Sequence, residues 1–180
     1  MTEQTLRGRR VAVLATDGFE QSELEVPVEA LKAAGAHVDV VSLNEGEIQG
    51  MEHDKVGRKV TVDHDLASAN ASDYDALVLP GGVANPDTLR INAGAVGFVR
   101  SFSQARKPIA AICHGPWILI NAQVIDGRKM TSWPSLEADL RNAGAEWVDE
   151  EVVVDRGLIT SRRPDDLLRF CTEMISEFAA

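Results

Sequence analysis

The stretch Lys107-Pro108-Ile109-Ala110-Ala111-Ile112-Cys113-His114-Gly115-Pro116-Trp117-Ile118-Leu119-Ile120 constrains this chain more than any other. Its first half is a short, wholly apolar run behind Pro108, the pattern of a strand buried on both faces. The run breaks at Cys113-His114-Gly115 and a second apolar segment follows at once, so a strand hands over to a helix. Pro116 suits the first turn of that helix, because its missing N–H would have no intrahelical partner and its φ is already helical. The Cys113 thiol therefore sits on the turn. Small residues on either side, Ala111 and Gly115, permit the strained elbow that projects a reactive atom at a helix N-terminus, where unpaired N–H groups and the helix dipole favour a thiolate.

The rest of the chain alternates in the same way. Arg10 to Thr16 is an apolar strand that ends in the loop Asp17-Gly18-Phe19-Glu20. The segment from Gln21 to Ala34 has Leu24, Val28 and Leu31 at helical spacing with Gly35 as its cap, and Ala36 to Leu43 is a second strand. That β-α-β unit implies parallel pairing. Arg58 to Asp63 alternates like an edge strand or hairpin arm, and Ala76 to Leu79 is a buried strand ending at Pro80-Gly81-Gly82. Helical spacing runs from Leu89 to Arg106, and Lys129 to Ser132 is a short strand followed by a helix over Ser135 to Asn142. Glu151 to Asp155 and Leu158 to Ser161 make a hairpin around Arg156-Gly157. Pro164-Asp165-Asp166 opens a last helix with Leu167, Leu168, Cys171, Met174, Ile175 and Phe178 as its apolar stripe. Such alternation predicts a doubly wound α/β sheet of the flavodoxin type, mostly parallel, with helices on both faces and residues 1–180 in one domain. Sites in these sheets lie at the carboxyl ends of the strands, which brings together three loops: Asp17 to Glu20, Gly81 to Asp87, and Cys113 to Gly115.

Charge and cysteine usage bound the partners. A formal net charge of −10 opposes nucleic acid and anionic membranes, both of which call for a basic patch. Met1 to Arg10 is polar and no window approaches a membrane span, so a cytoplasmic protein is expected. The two cysteines, Cys113 and Cys171, stand in different contexts and do not suggest a disulfide. His37, His53, His64 and His114 lack metal-ligand spacing, so neither a metal nor any other cofactor is expected.

The motifs Asp17-Gly18-Phe19-Glu20 with Glu23-Leu24, Leu77-Val78-Leu79-Pro80-Gly81-Gly82, and Ala111-Ile112-Cys113-His114-Gly115-Pro116 lie in these loops. With Gly144 to Asp149 and Val152 to Asp155, they make the sequence resemble the ThiJ/PfpI family of intracellular cysteine-peptidase-like and stress proteins, over nearly the whole chain. The resemblance implies a nucleophilic Cys113, a carboxyl from Glu20 in contact with the thiol, and His114 as the adjacent imidazole. In peptidase-like members a glutamate from the partner subunit completes the set; the matching position here is Asp87, shorter by one methylene. A homodimer or higher homo-oligomer follows from the same resemblance.

Each of these residues also has a plainer reading. Cys113 could be a small buried hydrophobe, the role that the apolar stripe of the last helix gives to Cys171. Glu20 and Asp87 could be helix-start carboxylates, and His114 need not face its neighbour's thiol. Gly81 and Gly82 are either turn glycines or backbone donors to a substrate oxygen. Three functions remain open. The first is a deglycase or glyoxalase-like hydrolase in which Cys113 attacks small carbonyl compounds or their adducts on modified proteins, and the second a PfpI-type peptidase of unfolded proteins. The third is a non-enzymatic stress protein, redox-sensing or chaperone-like, whose cysteine oxidises.

Overall fold

The computed structural model describes residues 5–180. Strands β1 (Arg10–Leu14), β3 (His37–Ser42), β7 (Ala76–Leu79), β8 (Ile109–Ile112), β11 (Val152–Asp155) and β12 (Leu158–Ser161), with the two-residue β6 (His64–Asp65), form a seven-stranded sheet. Its order is β11-β12-β8-β7-β1-β3-β6. Every neighbouring pair is parallel except the hairpin β11–β12. A three-stranded sheet of β2 (Phe19–Glu20), β4 (Glu47–Glu52) and β5 (Lys55–Thr61) stands beside it, and β9 (Lys129–Met130) pairs with β10 (Glu146–Trp147). Of the two readings of Arg58 to Asp63, edge strand or hairpin arm, the second holds: residues 58–61 lie in β5, which pairs antiparallel with β4 off the main sheet.

Helices cover both faces. One face packs under α1 (Gln21–Ala33) and α6 (Leu167–Ala179), where Leu24 and Leu31 meet Phe170, Met174 and Phe178 around Val11, Val13 and Val78. The other packs under α2 (Ala84–Arg90), α3 (Ala93–Gln104), α4 (Trp117–Ala122) and α5 (Glu137–Asn142), around Leu77, Leu79, Phe98 and Phe102. Strand residues alternate between the two cores, as the two-period of a strand requires.

Three expectations change. The helix expected over Leu89 to Arg106 is two helices, because the Asn92 side chain accepts from Ala95 N–H at 2.9 Å and starts α3 afresh. In α6, Leu168 is 85% exposed, while Leu167 and Cys171 are buried. Adjacent helical residues are about 100° apart, and the stripe has room for only one of the two leucines. Finally, α4 begins at Trp117 and is only six residues long, so the turn 113–116 separates the thiol from the helix. Its dipole is therefore a weak support for a thiolate.

Candidate active site

The elbow is strained where it was expected to be. Cys113 has φ +62°, a left-handed conformation that costs an ordinary L-residue about 1–2 kcal/mol. Tight surroundings hold it there. A Cβ on Gly115 would strike the carbonyls of Leu79, Ile112 and Pro80, all backbone atoms unable to yield, so the residue two after the cysteine has to be glycine. Cys113 N–H donates to Ser161 carbonyl at 3.0 Å, and Trp133 N–H donates to the Cys113 carbonyl at 2.9 Å. The position of Cys113 is thus fixed from β12 on one side and from the loop after β9 on the other.

The carboxyl that faces the thiol belongs to Glu23, not Glu20. Gln21 starts α1, and its first turn carries Glu23 inward, where it is 0% exposed. Glu23 Oε2 accepts from Gly81 N–H at 3.0 Å. Oε1 is buried with no partner of regular hydrogen-bond geometry, and the carboxyl lies close enough to Cys113 for each group to perturb the other's ionisation. Glu20 precedes the helix in an extended conformation, and its Oε2 accepts from His53 N–H at 3.1 Å instead. Its negative charge still bears on Glu23.

Electrostatics follow from burial. Loss of solvent pushes the Glu23 carboxyl up to about 8; the hydrogen bond with the Cys113 thiol opposes the shift, the Glu20 charge adds to it, and the N–H groups of Gly81 and Gly82 oppose it. Burial first, then the Glu23 charge, pushes the Cys113 thiol up, while the N–H groups of His114 and Gly82 pull it down. The expected depressed thiol is not the resting state: desolvation outweighs the backbone donors. His114 Nδ1 lies 3.2 Å from Sγ, so the consecutive residues do face each other. Burial lowers the imidazole pKa, which keeps the ring neutral at pH 7 and able to take a proton. The ring stacks on Trp133 with centroids 5.8 Å apart, and its Nε2 is 3.4 Å from Ser135 Oγ.

The two glycines separate in role. Gly81 N–H is occupied by Glu23, whereas Gly82 N–H acts on both the Glu23 carboxyl and the Cys113 thiol, and His114 N–H acts on the thiol. Gly82 has φ +77°, which glycine alone adopts without cost, and a Cβ there would enter the Gly18–Glu20 backbone. Asn85, unnoticed in the sequence, ties the loops together: its Oδ1 accepts from Thr16 N–H at 2.8 Å, and its Nδ2 donates to the carbonyls of Pro80 and Gly81 at 3.1 and 3.0 Å. Asp87 does not join this set. It is exposed on the first turn of α2, with its N–H directed to Val83 carbonyl at 3.3 Å.

Cys113, Glu23, Gly82 and His114 open into a cavity of about 190 Å³ whose rim is formed by Glu20, His53, Val83, Trp133 and Pro164. Among the described residues no group of three or more His, Cys, Asp or Glu side chains could hold a metal ion, and no helix is long and apolar enough to cross a membrane.

Known proteins resemble this chain in sequence and in fold. General stress protein 18 of Bacillus subtilis is 43% identical over 171 residues, 94% of this chain and 97% of that protein. Deglycase TK1284 of Thermococcus kodakarensis is 44% identical over 166 residues, 92% of this chain and 97% of its own length. The putative cysteine protease YraA of Bacillus subtilis is 42% identical over 169 residues, 93% and 97% of the two chains. Among solved structures, a two-domain protein with DJ-1/ThiJ/PfpI-like and ferritin-like domains from Anabaena variabilis superposes with a TM-score of 0.88 at 37% identity. The match takes in 93% of this chain and 47% of that one, so this chain spans about half the length of the two-domain protein. The DJ-1/PfpI family model matches residues 9–177, and the chain belongs to that family.

Proposed function

We propose that this protein is a cysteine-dependent enzyme of the stress response that acts on α-oxoaldehydes or on their adducts with protein amines. The observation that carries the proposal is the neutral trio around the sulfur: a strained Cys113 thiol, a His114 imidazole 3.2 Å away, and a buried Glu23 carboxyl that keeps its proton up to about pH 8. A cavity of about 190 Å³ suits a three-carbon carbonyl compound or the tip of a modified side chain. The relatives named deglycase and general stress protein point the same way.

Attack begins when Sγ bonds to the aldehyde carbon and the thiol proton passes to His114 Nδ1. The carbonyl electrons move to oxygen, which accepts from the N–H groups of Gly82 and His114 and takes the Glu23 proton. On a carbinolamine adduct, the C–N bond breaks instead, His114 takes the thiol proton and the amine leaves with the Glu23 proton; both routes give a hemithioacetal, a His114 imidazolium and a Glu23 carboxylate. The Glu23 carboxylate then moves the C1 proton to C2 while the hydroxyl proton on C1 passes to the C2 oxygen, leaving a 2-hydroxyacyl thioester without net oxidation. Water hydrolyses it to the 2-hydroxy acid and restores the thiol, and the proton on His114 returns to Glu23.

Asp87 keeps the role implied by the family resemblance, a carboxylate that reaches His114 of a partner subunit. Its exposure at the start of α2, on the loop that carries Val83 and Gly82, supports that reading.

Wild type and Cys113→Ala are compared for methylglyoxal consumption, lactate formation, release of amine from a methylglyoxal adduct, and cleavage of unfolded casein. Lactate formation that disappears in Cys113→Ala is expected. Cysteine-dependent casein cleavage without lactate would favour a peptidase, the activity in the name of YraA. Equal lactate formation by Cys113→Ala would sink the proposed chemistry.

A further inference from the structure

A second cavity lies at the opposite end of the same strands. It has a volume of about 430 Å³, and its floor includes Ile109 and Leu158, the first residues of β8 and β12. Cys113 follows the other end of β8, so the two cavities are separated by the length of that strand. Four cations, Arg106, Lys107, Arg128 and Arg156, line the cavity in a chain whose net charge is −10.

Internal partners account for only part of that charge. Lys107 Nζ is held by the carbonyls of Ala71, Ser72 and Tyr74. Arg128 and Arg156 share the single carboxylate of Asp155, at 3.3 and 3.0 Å from their Nε atoms. Each uses its Nε and Nη2 donors in this region, and among the described residues the Nη1 of each has no partner. The Arg106 guanidinium has no hydrogen-bond or ion-pair partner among the described residues, nor does the Ser103 hydroxyl; the backbone N–H of Arg106 donates to the Ser103 carbonyl at 3.0 Å. Three guanidinium groups from three separate segments thus converge with donors unspent.

The backbone shows that two of these arginines occupy costly positions. Arg106 has φ +57° after the end of α3, and Arg156 has φ +48° in the β11–β12 turn, both sites where glycine or asparagine relieves strain. Only five non-glycine residues adopt positive φ among the described residues; one is Cys113, and two are these arginines on one cavity. Strain that a smaller residue would remove persists where the side chain has work to do.

We propose that this cleft binds a small organic phosphate. Guanidinium forks match phosphate oxygens, and three of them arriving from different directions fit a tetrahedral dianion better than a flat carboxylate. The apolar floor of Ile109, Val124 and Leu158 receives the organic body.

The test is titration calorimetry at low ionic strength with adenosine monophosphate as the probe, adenosine as the control, and amide chemical shifts to place the site. Saturable binding in the submillimolar range is expected for the phosphate ester and none for adenosine, with shifts at Ile109 and Gly157. Arg106→Gly should raise the dissociation constant at least tenfold while its melting temperature stays level or rises, since glycine relieves the positive φ. An unchanged affinity in folded Arg106→Gly, no saturation at millimolar ester, or shifts confined to other surfaces would overturn the proposal. The readout is binding, so it does not depend on the activity proposed for Cys113.

Discussion

The buried carboxyl of Glu23 and the thiol of Cys113 face each other where solvent is excluded from both: burial raises the proton affinity of each, the glutamate raises that of the thiol further, and the hydrogen bond from the thiol only partly offsets the rise on the carboxyl. At pH 7 both are neutral. In the proposed chemistry, the charge needed for attack then arises only during the reaction, with His114 as the acceptor and the glycine loop as the anion's support.

Stability should carry the signature of Glu23. The folded carboxyl holds its proton to about pH 8, whereas an unfolded glutamate loses it near ~4.3, so the folded state binds the extra proton between those values. This contribution is full below the unfolded value and is lost as pH rises through about 8, a loss on the order of a few kcal/mol. Melting temperature of the wild type should fall between pH 5 and 8.5. In Glu23→Gln, which has no proton to lose, that slope should flatten and the melt at pH 8.5 should be higher than in the wild type. Turnover by the same variant should drop by roughly 10²–10⁴, the usual worth of a proton-transfer group. Parallel slopes for the two proteins would mean that Glu23 ionises normally.

Gly81 is the point where the glutamate, the cysteine and β8 come closest. A Cβ there would meet Glu23 Oε2, Cys113 Cβ and, at 2.9 Å, the Ile112 carbonyl. In Gly81→Ala the Glu23 carboxyl is displaced and its bond from Gly81 N–H is broken. Activity is expected to fall at least tenfold and stability by about 1–3 kcal/mol, the usual cost of overpacking. Thermal melts and lactate formation check the two effects separately; wild-type turnover would show that the carboxyl need not sit where it does.

Much of this was legible in the chain because buried parallel strands are continuous apolar runs, and β1, β7 and β8 fall within the expected segments. Glu23 was missed for a local reason. The loop ending at Glu20 aims toward the site, but the helix begins at the next residue and its phase decides which carboxylate turns inward. The signal was available: Glu23 lies four residues before buried Pro27 and eight before Leu31, an acid set in an apolar stripe. Pro27 itself has no N–H to give the Glu23 carbonyl, yet α1 continues through it. The break between α2 and α3 could not be seen in hydrophobic spacing, because Ile91 looks like a core residue and is 83% exposed.

Helix α6 offers a paired test of burial. Cys171 packs among Leu167, Phe170 and Met174, and burial pushes its thiol up to about 11. Leu168 points to solvent on the adjacent face. Cys171→Asp should destabilise by about 3 kcal/mol or more, since a carboxylate enters an apolar core without a partner. Leu168→Asp should stay within about 0.5 kcal/mol of the wild type. Denaturant unfolding of both variants measures the contrast, and equal losses would mean that the helix is rotated from the position described.

Asp87 can be tested through assembly. If each active site combines Cys113 and His114 of one subunit with Asp87 of another, a two-fold pair holds two such sites related by symmetry. A net charge of −10 does not prevent this at physiological salt, where charges beyond ~8 Å are largely screened. Light scattering at micromolar concentration should show at least a dimer. Mixing inactive Cys113→Ala with Asp87→Ala should then recover part of the activity, because one site of each mixed pair has an intact cysteine facing an intact aspartate. A monomer, or full activity in Asp87→Ala alone, would leave Asp87 as a helix-start carboxylate and confine the chemistry to Cys113, His114 and Glu23 of a single chain.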